Sequence, residues 1–451
     1  MLTAVARDSE TYFDELRVRE FGRLAANDHT YLDYTGSALY AGSQLRAHHA
    51  LLEEGLFGNP HSDSAPSRAS TELIESARRT VLRFLDVDES THDVCFTANT
   101  SAAIKLVAES YPFGPRSAFL LSVDNHNSVN GIREYARRAG ARVRYLPLDD
   151  ELRLTDPVRP LAEESTRGGG LVAFPAQSNF SGVQHPLALV SQAQSLGFDV
   201  LLDVAAYIPS HALSLRECPA DFAALSFYKL FGYPTGLGAL VARRDALARL
   251  RRPWFAGGTV TWASVAAGTH LLRRRGEGFE DGTPNFLGIA ALAAGFALLE
   301  EVQMPRLTAH VAQLAGSLLD GLRALRHDNG TPLVRVYGPS GTAGRGGAIA
   351  FNACDRRGEP IPYWTVETRA RHANISVRGG CFCNPGASER AFALDPTRIA
   401  TCLDQLGADF TPERFSTCTH AAVGAVRASV GLANNAEDVR RTVELVASFG
   451  E

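Results

Sequence analysis

The chain has 451 residues, 45 lysines and arginines against 49 aspartates and glutamates, and a formal net charge of −4. This length predicts two or three domains, and the slightly negative charge argues against nucleic acid or a membrane surface as a partner. The N-terminus is acidic where a signal peptide is basic, and the longest apolar run, residues 288–299, is shorter than a membrane span. These features predict a soluble, cytoplasmic protein.

An N-terminal segment, residues 1–30, is expected to pack on the rest of the chain. Between about residues 90 and 245, short apolar runs alternate with helix-like stretches, which is typical of a parallel sheet with crossover helices. This pattern predicts a large α/β domain over residues 31–285. Its predicted strands are Val94–Thr97, Ala118–Val123, Val143–Leu146, Leu171–Phe174, Val200–Asp203, Ala223–Ser226 and Gly238–Ala242.

The mixture of helix-like and strand-like segments in residues 286–451 predicts a smaller α+β domain. An Ala/Leu-rich stretch, 286–325, indicates one or two helices, and further helices are expected over 364–372 and 436–449. Strand-like segments lie between them: VRVYG, GAIAFNA, ISVRG and AVRASV. The glycine-rich GTAGRGG at 341–347 is predicted to be a surface loop.

Polar side chains follow several of the predicted strands, in NHN (125–127), QSN (177–179), DVAA (203–206) and SFYK (226–229). Open parallel sheets bind ligands beyond the carboxyl ends of their strands. Asp203 and Lys229 would supply a carboxylate facing a pyridine nitrogen and an amine for a Schiff base, as a pyridoxal phosphate (PLP) site requires. Alone, Asp203 is more simply a capping residue and Lys229 a surface lysine. Lys229, however, lies between an apolar strand and a Gly/Pro-rich turn.

A phosphate site is indicated where FTANTSAAIKLVA (96–108) passes from a strand into a helix. Thr100 and Ser101 offer hydroxyls there, and a helix N-terminus presents free N–H groups to an anion. The alternative is an ordinary helix cap. His126 could stack on the cofactor ring and handle protons, or could be a structural histidine.

The segment VRGGCFCNPGAS (377–388) places Cys381 and Cys383 in a glycine-rich loop. A Cys-x-Cys pair without a second ligand pair is poor evidence for zinc, so no metal site is expected. The remaining readings are a buried pair of small residues or a thiolate that attacks substrate sulfur. The seven cysteines, an odd number without regular spacing, are not expected to form a disulfide framework, and the other five are predicted to be buried structural residues: Cys95, Cys218, Cys354, Cys402 and Cys418.

With these motifs, the sequence resembles the class V aminotransferase-like cysteine desulfurases, and among them the desulfurase domain of molybdenum cofactor sulfurases. The similar segments run nearly end to end in the family order. They include YLDYTGSALY (31–40), FTANTSAAIKLVAESYPF (96–113), FPAQSNFSGVQHPL (174–187), SFYKLFGYPTGLGALVAR (226–243) and RGGCFCNPGA (378–387).

The resemblance implies a type I PLP-dependent transferase fold and a homodimer. It implies a Schiff base on Lys229, with Asp203 at the pyridine nitrogen and His126 stacked on the ring. Asn179 would approach the cofactor hydroxyl or the substrate carboxylate, and Arg427 would clamp that carboxylate. The phosphate would be held by the hydroxyls of Thr100, Ser101 and Ser226, by Tyr228, and by Thr283 of the other subunit.

The implied function is a PLP-dependent cysteine desulfurase that converts L-cysteine to L-alanine and leaves a persulfide on Cys383. Cys381 is then a spectator or a second sulfur carrier. Two departures from the family pattern are Ala206, where many relatives have glutamine, and Tyr228, where many have histidine. The sulfur acceptor is open among a molybdenum cofactor, an iron–sulfur scaffold and a sulfur-containing small molecule, as is selectivity among cysteine, selenocysteine and cysteine sulfinate.

The alternative is another PLP reaction on the same fold, such as cysteine C–S β-lyase, epimerase or aminotransferase activity, for which Cys383 would be dispensable. A catalytically idle scaffold that recruits a sulfur-transfer partner is a further alternative. The joint presence of Lys229, Asp203 and Cys383 argues against a scaffold.

Overall fold

The computed structural model describes the backbone of residues 2–450 and the side chains of residues 10–450. The strands, in chain order, are β1 (Thr30–Tyr31), β2 (His92–Thr97), β3 (Ala118–Ser122), β4 (Arg142–Leu146), β5 (Gly170–Pro175), β6 (Phe198–Asp203), β7 (Phe222–Ser226), β8 (Gly238–Arg243), β9 (Val260–Ser264), β10 (Thr269–Leu272), β11 (Val334–Tyr337), β12 (Ala348–Ala353), β13 (Ile375–Ser376), β14 (Arg378–Gly380) and β15 (Ala425–Ser429).

The α-helices are α1 (Leu2–Phe21), α2 (Arg23–Ala26), α3 (Gly42–Glu54), α4 (Ala65–Phe84), α5 (Thr100–Ser110), α6 (Asn127–Asn130), α7 (Ile132–Arg138), α8 (Val158–Ser165), α9 (Leu189–Ser195), α10 (Phe227–Phe231), α11 (Arg244–Arg249), α12 (Phe286–Ala290), α13 (Leu292–Val302), α14 (Met304–Ala324), α15 (Tyr363–His372), α16 (Pro385–Ala391), α17 (Pro396–Leu406), α18 (Pro412–Thr419) and α19 (Ala436–Ala447).

The central sheet has seven strands in the order β2-β8-β7-β6-β5-β3-β4. Six of them run in one direction, and only β8 is antiparallel to its neighbours. Helices cover both faces, so successive side chains of a strand enter different cores: in β5, Val172 and Phe174 face one core and Leu171 and Ala173 the other. All seven predicted strands lie in this sheet, which confirms the predicted fold class, a mostly parallel α/β sheet.

A four-stranded antiparallel sheet, β11-β12-β15-β14, lies in the C-terminal part of the chain. The N-terminal part reaches this region, because β1 pairs in parallel with β13 and Arg17 of α1 forms a 2.6 Å ion pair with Asp438 of α19. In the small sheet, Arg378 of β14 stands directly opposite Arg427 of β15. The predicted domain limits at residues 31 and 286 stay predictions.

The Ala/Leu-rich stretch forms three helices, α12, α13 and α14, rather than one or two. It breaks at Gln303, whose φ is +65°, and α14 then begins at Met304 with Pro305 in its first turn, where the missing N–H of proline costs nothing. No single described helix is long and apolar enough to cross a membrane. The residues 286–302 and 304–324 reach that length and hydropathy only together, across a 74° bend.

Two further predictions for the C-terminal part were wrong. The segment 341–347 is not wholly a surface loop, because its second half, from Arg345, is buried, and a Cβ on Gly346 would lie 2.0 Å from the side-chain oxygen of Gln177. Cys402 and Cys418 are not free buried thiols but form a disulfide that joins α17 to α18. The pairing has no signal in the sequence, because the two cysteines are 16 residues apart and meet only where these two helices pack together.

Candidate active site

A cavity of about 290 Å³ opens at the carboxyl edge of the central sheet. Because β2, β3, β6 and β7 run in parallel, the residues that follow them meet at this edge. The sequence-predicted residues that line the cavity are Thr100, Ser101, His126, Asp203, Ser226, Tyr228 and Lys229. Asn99, Ser128, Thr235 and Gly236 also line it and were not predicted.

One end of the cavity is the N-terminus of α5. Asn99 caps this helix, since its side-chain oxygen accepts a hydrogen bond from the backbone N–H of Ala102 at 2.9 Å. The Ser226 hydroxyl lies 2.8 Å from the Thr100 backbone nitrogen and 2.6 Å from the Thr100 hydroxyl. The helix end and the clustered hydroxyls therefore form a site suited to an anion.

A carboxylate and an amine, those of Asp203 and Lys229, also line the cavity. Asp203, at the end of β6, is buried, and its Oδ1 accepts a hydrogen bond from the backbone N–H of Ala205 at 3.0 Å. Burial lowers the pKa of the Lys229 amine, Asp203 opposes this, and the nearby Arg427 guanidinium lowers the pKa further. More of this amine is therefore the nucleophilic free base at neutral pH than for a surface lysine.

His126 follows β3 and also faces Asp203 and Lys229. Its Nδ1 accepts a hydrogen bond from the backbone N–H of Ser128 at 3.1 Å, so in the neutral ring the proton is on Nε2. Burial lowers the pKa of the imidazole, and the positive charge of Lys229 lowers it further against the opposing effect of Asp203. A neutral ring with one N–H donor results near pH 7.

The loop with the two cysteines lies beside the cavity, with Cys383 exposed and Cys381 half-buried. Phe382 and Cys383 have φ values of +56° and +57°, the left-handed region that L-residues seldom occupy. Asn179 donates its side-chain N–H to the Phe382 carbonyl at 2.6 Å, and the backbone N–H of Asn127 donates to the Cys383 carbonyl at 2.7 Å. These bonds attach the thiol loop to the segments that follow β3 and β5.

Arg427 is buried next to this loop, and its guanidinium carbon stands 4.7 Å from the centre of the Phe382 ring. It donates to the Asn179 backbone carbonyl at 2.6 Å and to Asp33 at 3.0 Å. Burial lowers the pKa of Arg427 to about 10, so the group stays charged at neutral pH. Arg378 shares Asp33, with its Nε 3.0 Å and 3.1 Å from the two carboxylate oxygens. Sequence reasoning gave Asp33 no role.

Comparison with known proteins identifies the family. The aminotransferase class-V family model matches residues 30–442. The chain belongs to the class-V aminotransferase family. It is 36% identical over 476 residues to a molybdenum cofactor sulfurase of Solanum lycopersicum, covering 98% of this chain and 58% of that protein. The chain thus spans somewhat more than half the length of the curated relatives it matches.

Solved structures share the fold of this class-V chain. The apo cysteine desulfurase of Thermococcus onnurineus NA1 superposes with a TM-score of 0.80 at 24% identity, covering 96% of this chain and 97% of that one. The cystine C–S lyase C-DES, bound to its product cysteine persulfide, gives a TM-score of 0.72 at 20% identity, covering 96% of this chain and 100% of that one. The predicted fold is confirmed.

The two departures from the family pattern have different settings. Tyr228 lines the cavity, and burial raises the pKa of its phenol, so it is a neutral hydrogen-bonding group. Ala206 instead lines a second cavity of about 40 Å³ with Lys229 and Gln177. Gln177 donates its side-chain amide to the Ala206 carbonyl at 2.8 Å.

Thr283 is exposed and lies away from the cavity of its own chain. It follows the hairpin of β9 and β10, which sequence reasoning did not predict. Trp262, Val265 and Leu271 of this hairpin are 72%, 101% and 62% exposed. The role of Thr283 in a partner subunit stays a prediction.

Proposed function

We propose that this class-V chain is a PLP-dependent cysteine desulfurase that moves the sulfur of L-cysteine onto Cys383 as a persulfide. The observation that carries the proposal is that the thiol loop is attached next to the cavity that Lys229 lines: Asn127, which follows the cavity residue His126, donates its backbone N–H to the Cys383 carbonyl at 2.7 Å. A lyase, epimerase or aminotransferase needs the amine but has no use for such a thiol.

The donor set of the cavity fits PLP. The N-terminus of α5 with Thr100, Ser101 and Ser226 would hold the phosphate, Asp203 the pyridine nitrogen, and Lys229 the aldehyde carbon. His126 would lie against the ring and Tyr228 beside the phosphate. When bound, the cofactor would serve as an electron sink for the substrate Cα.

Residues of the chain would bind the substrate and transfer its protons. Arg427 would bind the substrate carboxylate in place of the Asn179 carbonyl that it now contacts. Lys229, as a free base, would remove the proton from the substrate Cα, and His126 would exchange protons with the substrate through its Nε2.

Cys383 as a thiolate would then attack the substrate sulfur. The S–S bond forms as the Cβ–S bond of the substrate breaks, and the carbon product takes up a proton to become L-alanine. One L-cysteine and one thiol thus give one L-alanine and one persulfide, with no outside oxidant or reductant. The persulfide would pass to a sulfur acceptor.

The second candidate is a cysteine C–S β-lyase, which the likeness to C-DES keeps open, because similarity at this identity shows only the fold. A lyase would release pyruvate and would not need the thiol of Cys383. The exposed, free thiol of Cys383, on a loop attached next to the cavity residue His126, favours the desulfurase.

A homodimer is part of the proposal. The exposed apolar side chains of the β9–β10 hairpin support it, since a second copy would remove them from water and bring Thr283 towards its cavity. The net charge of −4 supports a small-molecule or protein acceptor rather than nucleic acid or a membrane surface. The cytoplasmic location stays a prediction.

The test is product analysis. The protein is purified with PLP, given L-cysteine without a reductant, and assayed for alanine, pyruvate and protein-bound persulfide. The parent and the matched control Cys381→Ser should give alanine and persulfide in equal amounts, and Cys383→Ser should give almost neither. Pyruvate and free sulfide formed at the same rate by Cys383→Ser would establish the lyase instead.

A further inference from the structure

A buried polar cluster lies beneath the thiol loop and is not used in the mechanism above. Its centre is Asp124, fully buried two residues before His126. The carboxylate accepts hydrogen bonds from the Ser178 hydroxyl at 2.8 Å, from the Nε2 of His185 at 2.8 Å, and from the side-chain amide of Asn384 at 2.5 Å. Three donors from three segments of the chain therefore meet at one carboxylate.

Asn384 directly follows Cys383 and has no solvent exposure. Its side-chain N–H groups donate to Asp124 and, at 2.9 Å, to the side-chain oxygen of Asn179. Its own side-chain oxygen caps α16 by accepting from the backbone N–H of Ala387 at 3.2 Å. One side chain thus ties the thiol loop to the sheet edge and starts the helix behind the loop.

The conformation of the loop explains why it needs such an anchor. Phe382 and Cys383 occupy the left-handed region in succession, which costs free energy unless the surroundings hold them. The start of α16 also lies against the end of β3, since a Cβ on Gly386 would come within 2.2 Å of the Val123 carbonyl oxygen. A loop released from the cluster would relax, and the Cys383 thiol would move away from the cavity.

We propose that Asp124 is a positioning residue for sulfur transfer: acting through Asn384, it holds the Cys383 loop in its left-handed conformation at the cavity. The inference rests on the proposed function for what the positioning achieves, but not for the contact itself. A carboxylate suits this place because it offers two acceptor oxygens to the three groups around it. An amide in its place would turn an N–H group towards one of them.

The first variant is Asp124→Asn, which keeps the shape and removes the charge. The loss of one charge-assisted hydrogen bond predicts persulfide formation about 10- to 100-fold slower. Exchange of the Cα proton of L-alanine in D2O needs Lys229 and Arg427 but not Cys383. It should therefore stay close to the parent rate, as should the absorbance of bound PLP.

The second readout needs no activity. Hydrogen–deuterium exchange of the apo-protein should be faster in residues 381–391 of Asp124→Asn than in the parent. The matched control is Asp221→Asn, because Asp221 is a buried aspartate that precedes β7 at the opposite edge of the sheet. It should leave both this exchange and persulfide formation unchanged.

Asn384→Ser is the second variant, should Asp124→Asn fail to fold. A serine still caps α16 but cannot reach Asp124. Like Asp124→Asn, it should slow persulfide formation and leave the exchange of the Cα proton at the parent rate. Equal slowing of both reactions, or an unchanged exchange pattern over 381–391, would overturn the proposal. A parent that forms no persulfide would end the desulfurase proposal, and the hydrogen exchange would still decide whether Asp124 holds the loop.

Discussion

Asp33→Asn should destabilise the protein far more than a change in the exposed arginine that shares this carboxylate. Asp33 pairs with two guanidiniums: Arg427, whose side chain is 3% exposed, and Arg378, whose side chain is 50% exposed. The substitution keeps the size of the side chain but removes the charge between them. Arg427 would then be a buried cation without a carboxylate partner.

The expected magnitude follows from this difference in exposure. Removing one partner of a buried ion pair costs about 3 kcal/mol or more, because the other charge stays buried and unpaired. Arg378→Gln removes a solvent-screened partner and leaves Asp33 paired with Arg427, so it should cost about 1 kcal/mol or less. Loss of the buried ion pair with Arg427 should therefore destabilise the protein more than loss of the exposed ion pair with Arg378, although both pairs use the carboxylate of Asp33.

The assay is urea unfolding of the apo-protein at pH 7, followed by tryptophan fluorescence. Asp28→Asn is the matched control, because Asp28 forms a 2.9 Å ion pair with Arg441 but is 84% exposed. It should change the free energy of unfolding by less than about 1 kcal/mol. An Asp33→Asn protein as stable as this control, or no more destabilised than Arg378→Gln, would refute the reasoning.

Three other changes test separate parts of the fold. Gly36→Ala should lower the free energy of unfolding in urea by about 1 to 3 kcal/mol, since its Cβ would lie 2.6 Å from the carboxylate of Asp33. The control Gly114→Ala should not change this free energy, because its Cβ would have no atom within 4 Å. Burial lowers the pKa of His310 from 6.5 to about 4, so between pH 7 and pH 5 this histidine takes up a proton in the unfolded chain but not in the native protein. The parent should therefore lose about 2 kcal/mol more than His310→Gln between pH 7 and pH 5, and equal losses would contradict this. Reduction of the disulfide should cost the parent about 2 to 3 kcal/mol and should not affect Cys402→Ser.

The central sheet could be predicted because its strands carry a local signal. Each is a short, mostly apolar run, and the polar residues at the carboxyl ends of the parallel strands β2, β3, β6 and β7 meet at one edge of the sheet. That is why Asp203, Lys229, His126 and Thr100 were found and why the structure brings them to one cavity. The roles given to them stay predictions.

The missed features depend on contacts between distant parts of the chain. Asp33 and Arg427 form an ion pair although they are 394 residues apart in the sequence, and no residue near Asp33 in the sequence indicates this pair. The anchor of the thiol loop is similar, because Asp124 and Asn384 are 260 residues apart. Local patterns find the ends of strands, but they do not show which side chains from distant segments of the chain contact each other.

The most direct test of the central claim is to locate the transferred sulfur. The Cys381→Ser protein, loaded with PLP, is given one equivalent of L-cysteine carrying ³⁴S, and its peptides are analysed by mass spectrometry without reduction. The account predicts one added ³⁴S atom on the peptide that contains Cys383 and an equal amount of L-alanine. Label released as free sulfide, with Cys383 unmodified and pyruvate as the product, would contradict it.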